Sequence, residues 1–164
     1  MIKAINTIDF EKVEKKDRYK FYSMLSKRQI HKVVNQAIKD KNSEFKAYFA
    51  RCDITPESEL RKLFKNADKA TLKSLLFNKN TPKDIVEEIS KQVSKSDTDL
   101  LIPLSLNERT PREKLEELKD ISISDTEHNL NNLEQSESLN LQWTYNVIRT
   151  NAYTTLQKID GKKN

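Results

Sequence analysis

The chain reads as all-α, a short right-handed α-solenoid of stacked helix pairs with helical N- and C-terminal caps. Three observations lead there. Glycine occurs once and proline four times in 164 residues, so Gly-built hairpins and phosphate-cradling loops have almost no material. Charged residues make up 34% and apolar residues 35%, a balance that suits a thin, surface-rich shape better than a thick core. Most directly, one phrase recurs. NKNTPKDIVEEI (78–89) and NERTPREKLEEL (107–118) begin 29 residues apart, and DITPESELRKLF (53–64) is a third version.

Aligned on their threonines, Thr55, Thr81 and Thr110, the three copies hold apolar columns in register. Five residues on stand Leu60, Val86 and Leu115; eight on stand Leu63, Ile89 and Leu118; six before stand Phe49, Leu75 and Leu104. Each phrase reads as a helix start. The Thr hydroxyl is expected to cap a free backbone N–H, and Pro56, Pro82 and Pro111 fit the first helical position, where a missing N–H costs nothing. Glu113 then completes a capping box with Thr110, and Asp84 makes a shorter version of one.

Shorter helical stretches precede and follow these starts, at 43–52, 67–77, 96–106 and 124–134, with Ser43, Ser96 and Ser124 as expected caps. The unit is therefore short helix, Asn-containing turn, Thr-Pro helix and link. Pro103 falls inside one short helix, where a kink or a very short helix is expected. The turn Asn78-Lys79-Asn80-Thr81-Pro82 resembles that of the leucine-rich repeat variant family, bacterial helical repeats related in architecture to HEAT and armadillo repeats. Asn107-Glu108-Arg109-Thr110-Pro111 follows the pattern less closely, and Cys52-Asp53-Ile54-Thr55-Pro56 only at Thr-Pro. The resemblance spans residues 43–134, in degenerate form, and implies a binding scaffold with no particular chemistry. Some members carry an iron–sulfur cluster on several cysteines; the single Cys52 cannot hold one.

The flanks read as helical too, within one domain over 1–164. Residues 1–42 form a basic N-terminal cap of two helices. The first carries Phe10, Val13, Phe21, Met24 and Leu25; the second opens on Ser26-x-x-Gln29, a capping-box form, and carries Ile30, Val33, Val34, Ala37 and Ile38 on one face. At the other end, Leu139, Leu141, Trp143, Tyr145 and Val147 alternate as in a strand. Leu141, Tyr145, Ile148, Ala152, Leu156 and Ile159 follow a helical 4-3-4-4-3 spacing instead, and a lone strand has no partner among helices. A capping helix over 135–160 is the favoured reading, ended by Gly161.

No Walker loop, dinucleotide turn or Ser-centred elbow is present, and neither His31 nor His128 has a second ligand at metal spacing. The pairs Glu87-Glu88 and Glu116-Glu117 read as solvated helix faces. A non-enzyme without cofactor, metal or small-molecule substrate is expected. No secretory signal or membrane-length apolar run appears, which points to the cytoplasm. The Lys- and Asn-rich composition suits an AT-rich bacterial, plasmid or phage genome.

Two partner classes follow. The first is another protein, bound along the helical surface by an adaptor or inhibitor. The second is nucleic acid. Residues 1–51 carry 13 Lys+Arg against 6 Asp+Glu, so +7, whereas residues 52–164 carry 17 against 19, so −2. Lys15, Lys16, Arg18, Lys20, Lys27, Arg28 and Lys32 would contact phosphates or an acidic partner, with Tyr19 and Tyr22 placed to stack on bases.

Overall fold

The computed structural model describes residues 24–122, 124 and 135–162. All the regular structure among them is helical. The helices are α1 (Lys27–Lys39), α2 (Ser43–Arg51), α3 (Glu57–Lys65), α4 (Lys69–Phe77), α5 (Lys83–Gln92), α6 (Thr98–Leu106), α7 (Arg112–Lys119) and α8 (Gln135–Gly161). The first expected helix, near 9–25, and the one at 124–134 lie outside the described residues, Ser124 and the end of the former apart.

Helix α1 starts as its sequence predicts. The Ser26 side chain accepts from the Gln29 amide while the Gln29 side chain returns to the Ser26 amide at 2.9 Å, completing the capping box. Its expected apolar face is buried at Ile30, Val33, Val34 and Ala37.

Helices α2, α4 and α6 are each nine residues long and open on Asn42, Asp68 and Asp97. Each of those residues stands 13 positions before its segment's threonine. Asn42 accepts from the Phe45 amide at 3.1 Å and Asp68 from the Thr71 amide at 2.9 Å. The expected caps Ser43 and Ser96 are thus each one place from the true one. The Asn42 and Asp68 side chains, in extended backbone, reach the first-turn amides, and at Ser43 the backbone is already helical; Asp97 opens α6 without a side-chain cap bond. Helix α6 runs through Pro103 at full length. Burial of Leu100, Leu101, Pro103 and Leu104, between α4 and α8, offsets the one lost backbone bond.

The Thr-Pro starts differ from the sequence expectation. Pro56, Pro82 and Pro111 are themselves the N-caps of α3, α5 and α7, with no side-chain cap bond, so Glu113 has no Thr box to complete. The helix starts one residue later than expected, so each Thr stands before the N-cap, and its hydroxyl faces the preceding helix rather than the first-turn amides. Each hydroxyl instead donates to the carbonyl six residues earlier: Thr55 to Phe49 at 2.6 Å, Thr81 to Leu75 at 2.6 Å and Thr110 to Leu104 at 2.8 Å. The threonines therefore seal the C-terminal ends of α2, α4 and α6. Thr110→Ala is expected to cost about 1 kcal/mol in urea unfolding, from one buried hydrogen bond. Thr110→Asp separates the two roles. A cap would tolerate Asp, whereas a carboxylate against the Leu104 carbonyl must destabilise more than Ala does.

All nine residues of the three apolar columns are buried in one continuous core. Helix α4 packs on α2, α6 on α4, and α8 on both α6 and α7, while α1 lies against α2 and α3. The C-terminal segment is a single helix of 27 residues, so the strand alternative at 139–147 is excluded. Its helically spaced Tyr145, Ile148, Ala152 and Leu156 are the buried ones.

Candidate interaction surfaces

The three turns between paired helices share one anatomy. The Thr55, Thr81 and Thr110 amides donate back to the carbonyls of Cys52, Asn78 and Asn107 at 3.0–3.1 Å, closing four-residue turns. The Asn78 and Asn107 side-chain oxygens accept from the amides two residues on, at 2.8 and 2.9 Å. Their amide groups point the other way, into the preceding segment. Asn78 Nδ2 donates to the Ala50 and Cys52 carbonyls at 2.9 and 3.0 Å, and Asn107 Nδ2 donates to the Leu76 carbonyl at 2.6 Å. Ala50 and Leu76 are equivalent positions, five before their threonines; the third is Ser105. Among the described residues no asparagine meets it. The Thr155 hydroxyl of α8 donates to the Ser105 carbonyl at 2.8 Å instead. Helix α8 thus takes up the acceptor that a further Asn turn would use.

These staples align the turns along one edge. Lys79 pairs with Asp53 at 3.1 Å, Asn80 Nδ2 donates to the Asp53 carbonyl at 2.8 Å, and Glu108 pairs with Lys162. Between the second and third turns lies a cleft of about 600 Å³, whose lining includes Phe77, Lys79, Asn80, Leu106, Glu108 and Arg109. Arg109 is held by a bond from its guanidinium to the Thr81 carbonyl. Next to the cleft the Arg51 guanidinium lies 4.5 Å from the centre of the Phe77 ring. Neither arginine forms an ion pair among the described residues. Arg51, Phe77 and Leu106 occupy one register position, four before the threonines. That column mixes a cation with apolar side chains, the signal that could have marked an exposed edge.

Of the sequence-predicted contact residues, Lys27, Arg28 and Lys32 lie exposed on α1. They form no ion pair among the described residues. Lys15, Lys16, Arg18, Tyr19, Lys20 and Tyr22 lie outside the described residues, as does His128. His31 is half-exposed, and its Nδ1 lies 2.9 Å from the buried Glu59 carboxylate. Burial pushes the Glu59 carboxyl up, but hydrogen bonds from His31 and Lys62 outweigh it and hold it below the usual range. Glu87 pairs with Lys91 at 2.8 Å, Glu116 with Lys119 at 2.8 Å and Glu117 with Lys114 at 3.0 Å. Burial raises the pKa of the Cys52 thiol, against a lowering bond with Tyr48. Among the described residues no group of three His, Cys, Asp or Glu is placed to hold a metal, and no helix is long and apolar enough to cross a membrane.

The chain matches no known family model, no curated protein and no solved structure.

Proposed function

We propose that this chain is a short right-handed α-solenoid, similar to leucine-rich repeat variant or HEAT-like repeats, that works as a non-enzymatic protein-binding adaptor or inhibitor. In this reading α2–α3, α4–α5 and α6–α7 are the stacked pairs, and α1 and α8 are the caps. The registered helix starts and the Asn and Thr staples support it. The observation that carries the function is the turn-edge cleft. It combines an apolar floor at Phe77 and Leu106 with the cations Lys79 and Arg109, with Arg51 beside it on the Phe77 ring, on a frame fixed by buried hydrogen bonds. Apolar anchors ringed by arginines are what protein interfaces favour. Immobilised chain should retain a protein from nuclease-treated lysate, and Leu106→Lys with Arg109→Glu should release it. Recovery of nucleic acid alone would overturn this reading.

A second reading, nucleic-acid binding through the N-terminal helices, is favoured by the exposed Lys27, Arg28 and Lys32, which form no ion pair among the described residues. Each phosphate contact contributes about −0.7 to −0.9 to the log–log slope of affinity against salt. If this reading holds, changing the three residues together to Gln should make the slope shallower by about two to three. Fluorescence anisotropy with single- and double-stranded oligonucleotides measures it. Absent binding at low salt eliminates the reading.

A further inference from the structure

The three turns of the edge hold two carboxylates, and both are already paired, Asp53 with Lys79 at 3.1 Å and Glu108 with Lys162. Two exposed arginines at the same edge, Arg51 and Arg109, face no carboxylate among the described residues. Arg51 lies over the Phe77 ring, and Arg109 donates to the Thr81 carbonyl. Both guanidiniums are thereby held in place while most of their N–H donors stay open. Helix C-termini favour a nearby cation, but the carbonyls at this edge already accept from Thr55, Thr81 and Thr110. What the edge lacks is an anion. Beside the arginines the surface is apolar: Phe77 and Leu106 line the cleft, Leu106 is 47% exposed, and Ile54 of the first turn is 40% exposed.

We propose, resting on the reading of this edge as a protein-binding surface, that its partner presents an acidic peptide segment. A Leu, Ile or Phe side chain of the segment sits on Phe77 and Leu106, and neighbouring Asp or Glu carboxylates meet Arg109 and Arg51. Charge complementarity selects this occupant. An arginine fork binds a carboxylate through two parallel hydrogen bonds, and a fork already held in place loses little freedom in doing so. The whole chain, at net charge +5, draws an acidic partner in and repels a basic one. The cleft of about 600 Å³ is of the size that encloses a small apolar group with a few polar contacts. A nucleic acid fits less well. Its affinity is built from many phosphate contacts, whereas here two open cations stand beside apolar side chains. The Phe77 ring also carries a guanidinium over one face, where a base would stack.

A phage-displayed library of random octapeptides, panned on the full chain, tests the proposal. Enriched sequences should place Asp or Glu next to Leu, Ile or Phe. The most enriched peptide, labelled with fluorescein, should lose affinity at least about tenfold when Arg51→Gln and Arg109→Gln are combined, and should bind more weakly as salt rises. Both positions are exposed, so circular dichroism should remain helical. Arg109→Glu should turn the enrichment from Asp and Glu towards Lys and Arg, a response that lost packing cannot give. No enrichment, or binding that survives the double Gln substitution, would overturn the proposal. So would a single-stranded oligonucleotide that binds this edge more tightly than any enriched peptide and is lost in the same variant. Enrichment of neutral peptides that Leu106→Lys releases would overturn the acidic partner alone, and would leave the protein-binding reading of the edge standing.

Discussion

Asp68→Ala is expected to lower the unfolding free energy by about 3 kcal/mol, among the largest effects of any single non-core substitution in the chain. Lys46 stands nine positions before Thr55, where Leu72 and Leu101 stand in the other two segments, and its side chain is only 9% exposed. A lysine has entered an apolar column. It is tolerated because its Nζ lies 2.7 Å from Asp68 Oδ2 and 3.0 Å from the Asn66 carbonyl. Asp68 is also the N-cap of α4, accepting from the Thr71 amide and hydroxyl at 2.9 and 2.8 Å. Alanine therefore removes a cap worth about 1 kcal/mol and strands an ammonium in the core. Stranding a fully buried charge costs roughly 3–5 kcal/mol. Here the Asp68 side chain is 36% exposed, so water reaches the pair and the charge component falls to about 2 kcal/mol. Asp68→Asn keeps the cap and isolates that component. Adding Lys46→Met to Asp68→Asn should restore most of it, because the column then holds an apolar side chain. Urea unfolding of the three variants decides the matter. A change within about 0.5 kcal/mol for Asp68→Ala would show that Lys46 reaches water without its partner.

The same pair sets an acid response. Burial pushes the Asp68 carboxyl up, but the Lys46 ammonium and the Thr71 and Ser43 bonds outweigh it and hold the carboxyl well below the usual carboxylate range. A carboxyl depressed in the folded state stabilises the fold fully above its unfolded pKa of about 3.9. That contribution is lost as pH falls from there through the folded value. The stability gap between the native chain and Asp68→Asn should thus be constant near neutral pH and narrow below about pH 4. A gap that stays constant in acid would place the Asp68 effect outside electrostatics.

Periodicity made the helices and their buried columns legible, since each apolar column depends only on spacing that the backbone enforces. The same spacing favoured α8 as a helix over a strand. Hydroxyl direction was not legible. Thr-Pro reads as a cap followed by a first helical residue, yet the proline is itself the N-cap, and the threonine one place before it bonds to the preceding helix. The staples were half-visible. Asn78 and Asn107 stood at one register position in the sequence, but an Asn in a turn normally satisfies its own backbone. That its amide group crosses to the Ala50 or Leu76 carbonyl requires knowing which helix lies alongside. The cleft was invisible for the same reason, because Phe77 and Arg109 meet only once two turns are aligned. Lys46 gave a signal that could have been taken: a charged residue in a column otherwise filled by leucine asks for a partner.

Asn78→Ala is expected to cost about 3 kcal/mol, because its amide ties the α4–α5 turn to the end of α2. Asn78 is fully buried, and both ends of its amide are engaged. Removing them leaves the Asn80 amide and the Ala50 carbonyl without their Asn78 bonds, while the Cys52 carbonyl keeps the Thr55 amide at 3.1 Å. Each buried polar group left unsatisfied costs about 1–3 kcal/mol, and partial relaxation of the exposed Asn80 brings the pair to about 3. Asn78→Asp should be worse than Ala near neutral pH, because a carboxylate would face two carbonyl oxygens. Cys52 supplies the control. It holds the same register position and closes the same turn, but its side chain is a thiol and among the described residues makes no staple to a preceding segment. Cys52→Ala should cost about 1 kcal/mol or less, as a small half-buried truncation. If Asn78→Ala and Cys52→Ala cost the same, the position matters only for packing, and the staple contributes nothing. If they differ as expected, protection of the α4–α5 turn amides from hydrogen exchange should fall in Asn78→Ala while that of α8 is retained. The staple would then be the bond that keeps one helix pair aligned on the next.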